Sequence, residues 1–191
     1  MNGGGGLQAW SSDGKKLWSV DLGNVWNQAV VPATRDQPAR VFTTEASGTV
    51  RVFDARGNPL ESLRPEGGYY AQMSACRRGD KTIQVIAING DQTVAFDDTG
   101  KVAWKTSAIK NPGGWRSGNF AAGDLEDNGT PDWAFVDGAG NLVLATSDGQ
   151  KISSIANERN VDCFAFAPRD GQSSVLITLN RGTVQAYGFQ R

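Results

Sequence analysis

Short runs of β-branched and aromatic residues alternate with turn-forming residues along the whole chain. In one unit the runs predict strands at 69–76, 81–88, 93–97 and 102–106, and Gly or Asp turns divide them. Strands joined by tight hairpins have this signature. No stretch shows a sustained helical period, so the pattern predicts an all-β chain.

The strand pattern repeats at a nearly constant interval. The turn glycines Gly14, Gly57, Gly100 and Gly149 are spaced by 43, 43 and 49 residues. A period of about 40–50 residues with strand patterning is typical of a β-propeller, so we predict about four four-stranded blades in a single domain spanning residues 1–191. The predicted repeats are approximately 25–64, 69–109, 115–156, and 160–191 completed by 7–23.

The first strands of the units are rich in small residues, as crowding near a propeller axis requires. Larger side chains are expected to fill the widening gaps between sheets. The candidates are Trp18, Trp104, Phe42, Phe135 and Leu176.

The two ends of the chain carry complementary parts of a blade. Residues 183–187 form a predicted third strand, and residues 16–20 form a fourth strand that lacks its own first and second. Pairing them would close a four-bladed ring and remove an exposed sheet edge. Residues 7–10 repeat the third-strand pattern and are surplus, which also allows half of a larger ring, with two chains completing each other by self-association.

Composition narrows the range of functions. The formal net charge is −1 and the basic residues are scattered, so we expect no nucleic-acid partner and no membrane insertion. Histidine is absent, which removes Ser-His-Asp and Cys-His catalysis. Cys76 and Cys163 match no metal motif, and we predict two buried free thiols.

One loop carries the most specific motif in the chain. Oxygen donors stand at alternate positions, and Gly129 makes the sharp turn between them. A hard cation such as Ca²⁺ requires this kind of oxygen cage. The alternative is a polar turn whose side chains hydrogen-bond their own backbone. The candidate ligands are the side chains of Asp124, Glu126, Asn128 and Asp132 and the backbone carbonyl of Thr130.

Two motifs resemble known propeller families. Residues 97–104 and 12–18 are similar to the Gly-Lys-x-x-Trp element of quinoprotein (PQQ-like) repeats, in which the Trp docks one blade against the next. Residues 123–133 resemble the Asp-rich loop of FG-GAP/VCBS, integrin-like repeats. The first resemblance implies the fold without a quinone cofactor, and the second implies calcium as a cofactor.

No catalytic constellation emerges, because the carboxylates stand mostly in turns. We therefore expect a non-enzymatic interaction or scaffold module that binds a protein or glycan partner through its loop faces. Trp26, Tyr69, Tyr70 and Trp115 are candidates for stacking on a sugar or peptide, or for packing between blades. The alternatives are a part of a larger propeller enzyme, such as a quinone-dependent dehydrogenase, and a repeat assembly with no separate activity.

Overall fold

The computed structural model describes residues 6–66, 68, 70–107, 120–156, 161–169, 172–180 and 182–188 of the 191-residue chain. These residues form strands, turns and loops without a helix, which confirms the all-β prediction. The strands are β1 (Leu7–Trp10), β2 (Lys16–Val20), β3 (Val25–Val31), β4 (Arg40–Glu45), β5 (Val50–Asp54), β6 (Pro59–Leu63), β7 (Tyr70–Arg77), β8 (Ile83–Asn89), β9 (Gln92–Asp97), β10 (Val102–Ser107), β11 (Phe120–Gly123), β12 (Asp132–Val136), β13 (Leu142–Ala145), β14 (Lys151–Ile155), β15 (Val161–Arg169), β16 (Gln172–Asn180) and β17 (Thr183–Tyr187).

The strands form antiparallel sheets in chain order. The N-terminal hairpin is β1–β2, sheet 1 is β3–β6, sheet 2 is β7–β10, sheet 3 is β11–β14 and sheet 4 is β15–β17. Every strand pairs only with its neighbours in sequence, which is the predicted meander. The first strands β3, β7, β11 and β15 contact one another in succession, so the small-residue strands lie where the sheets converge.

Sheets 1, 2 and 3 each bury one face against the next sheet in the chain and the other against the preceding sheet or hairpin, whereas sheet 4 buries only the face towards sheet 3. We call the face towards the preceding sheet or hairpin the rear face, and the opposite face the forward face. In sheet 1, Phe42 and Val52 point forward into a core shared with sheet 2, whereas Val41 and Phe53 point back towards the N-terminal hairpin. Adjacent residues of a strand thus serve different cores, which explains the almost continuously apolar β4 and β8.

The same stacking repeats along the chain. Sheets 2 and 3 share a core that contains Ile88 and Phe135, and sheets 3 and 4 share one that contains Leu144 and Leu176. The predicted gap-filling residues all contribute, with Phe42, Phe135 and Leu176 buried and Trp18 and Trp104 partly buried.

Two outer strands, β2 and β10, are each docked on the following sheet by a tryptophan. Trp18 of the N-terminal hairpin donates its indole N–H to the carbonyl of Ala55 (2.9 Å), and Trp104 of sheet 2 donates to the carbonyl of Ser147 (2.8 Å). Both rings lie over a turn glycine of the neighbouring sheet. The hairpin therefore occupies the place of the third and fourth strands of a blade.

The described strands do not show the predicted pairing that would close the ring within one chain. Among the described residues, β2 pairs only with β1, and β17 pairs only with β16. The physical reason is that the hairpin keeps its own third strand, β1, whose Leu7 is buried against Phe53. This leaves no vacant position beside β2 for β17.

The cysteine prediction is half wrong. Both thiols are free, as predicted, but Cys163 is exposed. It lies on sheet 4, whose forward face is not covered by any sheet of the described residues. Cys76 is partly buried between sheets 2 and 3, and burial raises the pKa of its thiol to about 12.

Candidate functional site

The loops between the first and second strands of sheets 1, 2 and 3 meet at one end of the stack. They comprise residues 32–39, 78–82 and 124–131, and we call them the loop rim. Arg77 joins the first two loops by donating from Nη2 to the carbonyl of Pro38 (2.9 Å). Gly79 brings the second loop onto the third, since a Cβ at this position would lie 2.9 Å from the Gly129 carbonyl oxygen. The rim is therefore one continuous surface.

The third rim loop is organised by its own side chains. Asp124 accepts hydrogen bonds from the backbone N–H of Asn128 (3.0 Å) and of Gly129 (2.7 Å). Asn128 accepts from the backbone N–H of Thr130 (2.8 Å) and donates to Glu126 (3.1 Å). The Asn128–Thr130 bond forms an Asx turn, and the two bonds of Asp124 close the loop around it.

Asp132 is the most perturbed carboxylic acid of the described chain. Asp132 is 2% exposed, and its Oδ2 accepts a hydrogen bond from the backbone N–H of Leu125 (3.2 Å). Burial is the main cause that raises the pKa of Asp132 to about 6. The nearby negative charges of Glu126 and Asp124 also raise this pKa, whereas the hydrogen bond from Leu125 lowers it. Negative charge is thus concentrated on one short segment.

The structure brings the predicted cation ligands into this one loop and the first residue of β12. Asn128 hydrogen-bonds with Asp124 through its backbone N–H and with Glu126 through its side chain, and Asp132 is near enough for the charges of Glu126 and Asp124 to raise its pKa. Within the described ranges, however, no group of three or more His, Cys, Asp or Glu side chains is arranged to hold a metal ion. The hydrogen bonds are those expected of the polar-turn alternative. Calcium binding therefore stays a prediction.

Other turn carboxylates are also used to hold the fold. Hydrogen bonds with Asn58 keep the pKa of Asp54 below its usual value. Burial acts to raise the pKa of Asp97, but hydrogen bonds from Thr99 and Lys101 outweigh it and lower that pKa. Carboxylates committed in this way pin β-turns and are poor acid–base catalysts.

The tripeptide Arg78-Gly79-Asp80 has the sequence of a cell-adhesion motif, and it lies in the second rim loop. Its charged side chains are engaged within the chain. Arg78 forms an ion pair with Asp148 of sheet 3 (3.3 Å), and Asp80 accepts the backbone N–H of Thr82 (3.0 Å). The tripeptide therefore serves the hairpin and the contact between sheets.

The aromatic candidates for stacking on a ligand separate into three groups. Tyr70 is fully buried and packs against Phe96, with ring centroids 5.9 Å apart, so it belongs to the core between sheets 1 and 2. Trp26 lies at the beginning of β3 and is half-buried. Tyr69 and Trp115 lie outside the described residues.

A second surface escaped the sequence analysis. Apolar side chains are exposed on the two end sheets, and the forward face of sheet 4 forms an open groove of about 440 Å³ that includes Cys163, Ile177 and Val184. A position-by-position comparison of the repeats would have revealed it. The equivalent residues of the inner sheets are buried by the next sheet.

Comparison with known proteins places the fold. The chain is similar to a crystal structure of BBS1N in complex with ARL6DN, soaked with lead (TM-score 0.72, 11% identity, 97% of this chain and 58% of that one). It is also similar to the same complex soaked with mercury (TM-score 0.70, 11% identity, 97% of this chain and 59% of that one). A third similar structure is BamB from Moraxella catarrhalis (TM-score 0.55, 14% identity, 95% of this chain and 58% of that one). No protein-family model matches the chain, and no curated protein sequence matches it significantly.

These similarities confirm the β-propeller fold with about four blades. The chain spans less than three fifths of the length of each of these solved structures. At such low identity the similarity concerns the fold alone. Among the described residues, no helix is long and apolar enough to cross a membrane.

Proposed function

We propose that this chain is a non-catalytic β-propeller module that binds a protein partner through the loop rim. The observation that carries the proposal is the continuity of the rim across sheets 1 to 3. Arg77 and Arg78 tie sheet 2 to its two neighbours through the hydrogen bond with the Pro38 carbonyl of sheet 1 and the ion pair with Asp148 of sheet 3. A surface held by several rigid sheets is pre-organised, which lowers the cost of ordering it on binding.

The chemistry of the rim suits a protein surface. Arg35, Asp36 and Lys81 are exposed there beside the acidic Glu126 and Asp127. Charges of both signs on a firm surface give orientation and specificity to a protein complex. BBS1N was crystallised in complex with ARL6DN, so a propeller of this fold does bind a protein.

The aspartates with shifted pKa values hold the fold. The turn aspartates hold hairpins, and the raised pKa of Asp132 belongs to a carboxyl that is buried against its own loop. No observation favours a quinone or a hydrolytic site. These points support an interaction module over an enzyme subunit.

The acidic loop contributes to the same surface. We propose that calcium binds between Asp124, Glu126, Asn128, Asp132 and the Thr130 carbonyl and stiffens the third loop of the rim. Burial and the charges of Glu126 and Asp124 raise the pKa of Asp132, and a divalent cation would offset this repulsion. The ion would act on the structure of the loop and take no part in chemistry.

The test compares two variants with the same change of charge at opposite ends of the stack. Arg35 is exposed on the rim, and Arg64 is exposed after β6 at the other end. Immobilised wild type, Arg35→Glu and Arg64→Glu are incubated with an extract of the source cells, and the retained proteins are quantified by mass spectrometry. We expect a protein retained by wild type and Arg64→Glu but reduced at least tenfold on Arg35→Glu.

Equal retention by both variants would place the binding surface elsewhere. A glycan array and a thermal-shift assay with a quinone complete the test. Binding of a glycan alone, or stabilisation by a quinone, would replace the proposal by one of its alternatives.

A further inference from the structure

The two ends of the stack expose apolar side chains at positions that the inner sheets bury. Ile177 and Val184 point forward from sheet 4 and are 36% and 68% exposed. The strand registers make Phe42, Ile86 and Ala134 the equivalents of Ile177, and all three are fully buried by the following sheet. The equivalents of Val184 are Val50, Thr93 and Leu142, which are also fully buried. The forward face of sheet 4 therefore resembles that of an inner sheet, but no sheet of the described residues covers it.

The opposite end lacks the matching part. Val30 lies on the rear face of sheet 1, in its first strand, and is 57% exposed. Its equivalent in sheet 2, Ala75, packs into the core with sheet 1. The difference arises because the N-terminal hairpin supplies only third and fourth strands, which cover Phe53 and Val41 but do not reach the first strand.

Trp10 gives the same indication from the hairpin itself. It occupies the position of Phe53 and Phe96 on a rear face, where those rings are buried, yet it is 58% exposed. The rear-face equivalent in sheet 4 is Tyr187, which packs against sheet 3. Within the described part of the chain, neither inner strands nor a further sheet cover this side of the hairpin.

We propose that a second copy of this chain supplies the missing parts, so that the two copies are joined head to tail through shared blades. Strands β15 and β16 of one copy would lie beside β1 and β2 of the other as the first two strands of one blade. Ile177 would then cover Val30, and Trp10 would take the place of Tyr187 against sheet 3. One rearrangement buries Trp10, Val30 and Ile177 together. It concerns the end sheets and is independent of the loop rim.

The shared blade has room for one third strand, and β1 is the better candidate. Leu7 of β1 is already buried against Phe53, whereas four of the five residues of β17 are exposed. Strand β17 therefore leaves the sheet when the copies join. Each copy contributes β15 and β16 to one shared blade and β1 and β2 to the other, so two copies close a ring with no open apolar face.

Light scattering on the full chain tests the inference. Wild type is expected at the mass of a dimer, twice that of the 20.4 kDa chain. Val30→Asp and Ile177→Asp place a charge at either side of the shared junction and should each give the mass of a single chain. The matched control Leu60→Asp changes an exposed leucine that lies in sheet 1 on its outer strand, away from both junction faces, and it should remain a dimer.

Mixing the two variants distinguishes the head-to-tail arrangement from others. In the mixture, Ile177 of one variant meets Val30 of the other at one intact junction, so part of the dimer should return. A wild type that has the mass of a single chain at every concentration would overturn the inference. So would a Val30→Asp variant that still dimerises, because this would indicate sheet 4 packed on sheet 4.

Discussion

At the scale of single residues, the buried Asp132 joins fold stability to pH. Its raised pKa means that the folded state binds its proton more tightly than the unfolded chain does. The stability that this proton contributes is fully present below the unfolded value near 4 and is lost as the pH rises through about 6. The turn aspartates Asp54 and Asp97 have lowered pKa values and act only at more acidic pH.

The prediction is that wild type and Asp132→Asn converge as the pH falls. At pH 7, without calcium, the asparagine variant lacks the buried charge and should melt at a higher temperature than wild type. Between pH 7 and pH 5 the wild type should gain stability relative to the variant. Melting curves in steps of half a pH unit measure this difference, and a constant difference would refute the role assigned to Asp132.

The acidic loop gives a second prediction at this scale. If calcium binds there, a concentration about 100 times the Kd should stabilise the fold by about 2.7 kcal/mol, which raises the Tm by roughly 5–10 °C. Asp124→Ala should abolish that shift. Asp137→Ala is the matched control, because Asp137 organises a turn of the same kind in sheet 3 outside the acidic loop. If the shift is absent in wild type, the loop is a polar turn only.

At the scale of elements, the hairpins between third and fourth strands show which features a sequence carries. Their glycines and aspartates repeat, and the backbone bonds repeat with them, as in Gly57 N–H to Asp54 and Gly100 N–H to Asp97. Strand positions were predictable for this reason, and β1, β2 and β17 begin and end where predicted. A turn is local, so its residues are sufficient to specify it.

The relations between sheets were less accessible from the sequence. Alternation identifies two apolar faces of sheet 4 but not whether a neighbour covers each of them, and the exposure of Cys163 was missed for that reason. The cation loop shows the same limit. The oxygen donors were identified, but their commitment to backbone N–H groups depends on a three-dimensional arrangement of the loop.

Two equivalent turn glycines, Gly14 and Gly149, allow the contribution of the turn backbone to stability to be measured apart from that of the packing between sheets. Gly149 (φ +81°) lies under Trp104, and an added Cβ would be 2.6 Å from its ring. Gly14 (φ +79°) has the same turn with open space around it. Gly14→Ala should cost about 1 kcal/mol from the backbone alone. Gly149→Ala should cost about 2 kcal/mol more, because the indole must move. Urea unfolding measures both, and equal losses would contradict the docking of Trp104.

At the scale of the whole molecule, the propeller is a series of similar junctions between sheets. The N-terminal hairpin is a working part of this series, since Leu7 and Trp18 cover Val41 and Phe53. Deleting residues 1–20 should therefore lower the Tm or cause aggregation, by uncovering the rear face of sheet 1. Deleting residues 1–5 alone is the control. A chain that folds unchanged without the hairpin would contradict this packing.

The loop rim is, in this proposal, the surface that binds a protein partner. Hydrogen–deuterium exchange of the chain, free and saturated with the partner retained in the capture experiment, measures that surface directly. We expect slower exchange in peptides covering 32–39, 78–82 and 124–131, and unchanged exchange in the turns at 46–49 and 90–91 at the opposite end. Slower exchange in the opposite turns, with unchanged exchange in the loop rim, would contradict the proposal that the rim binds the partner.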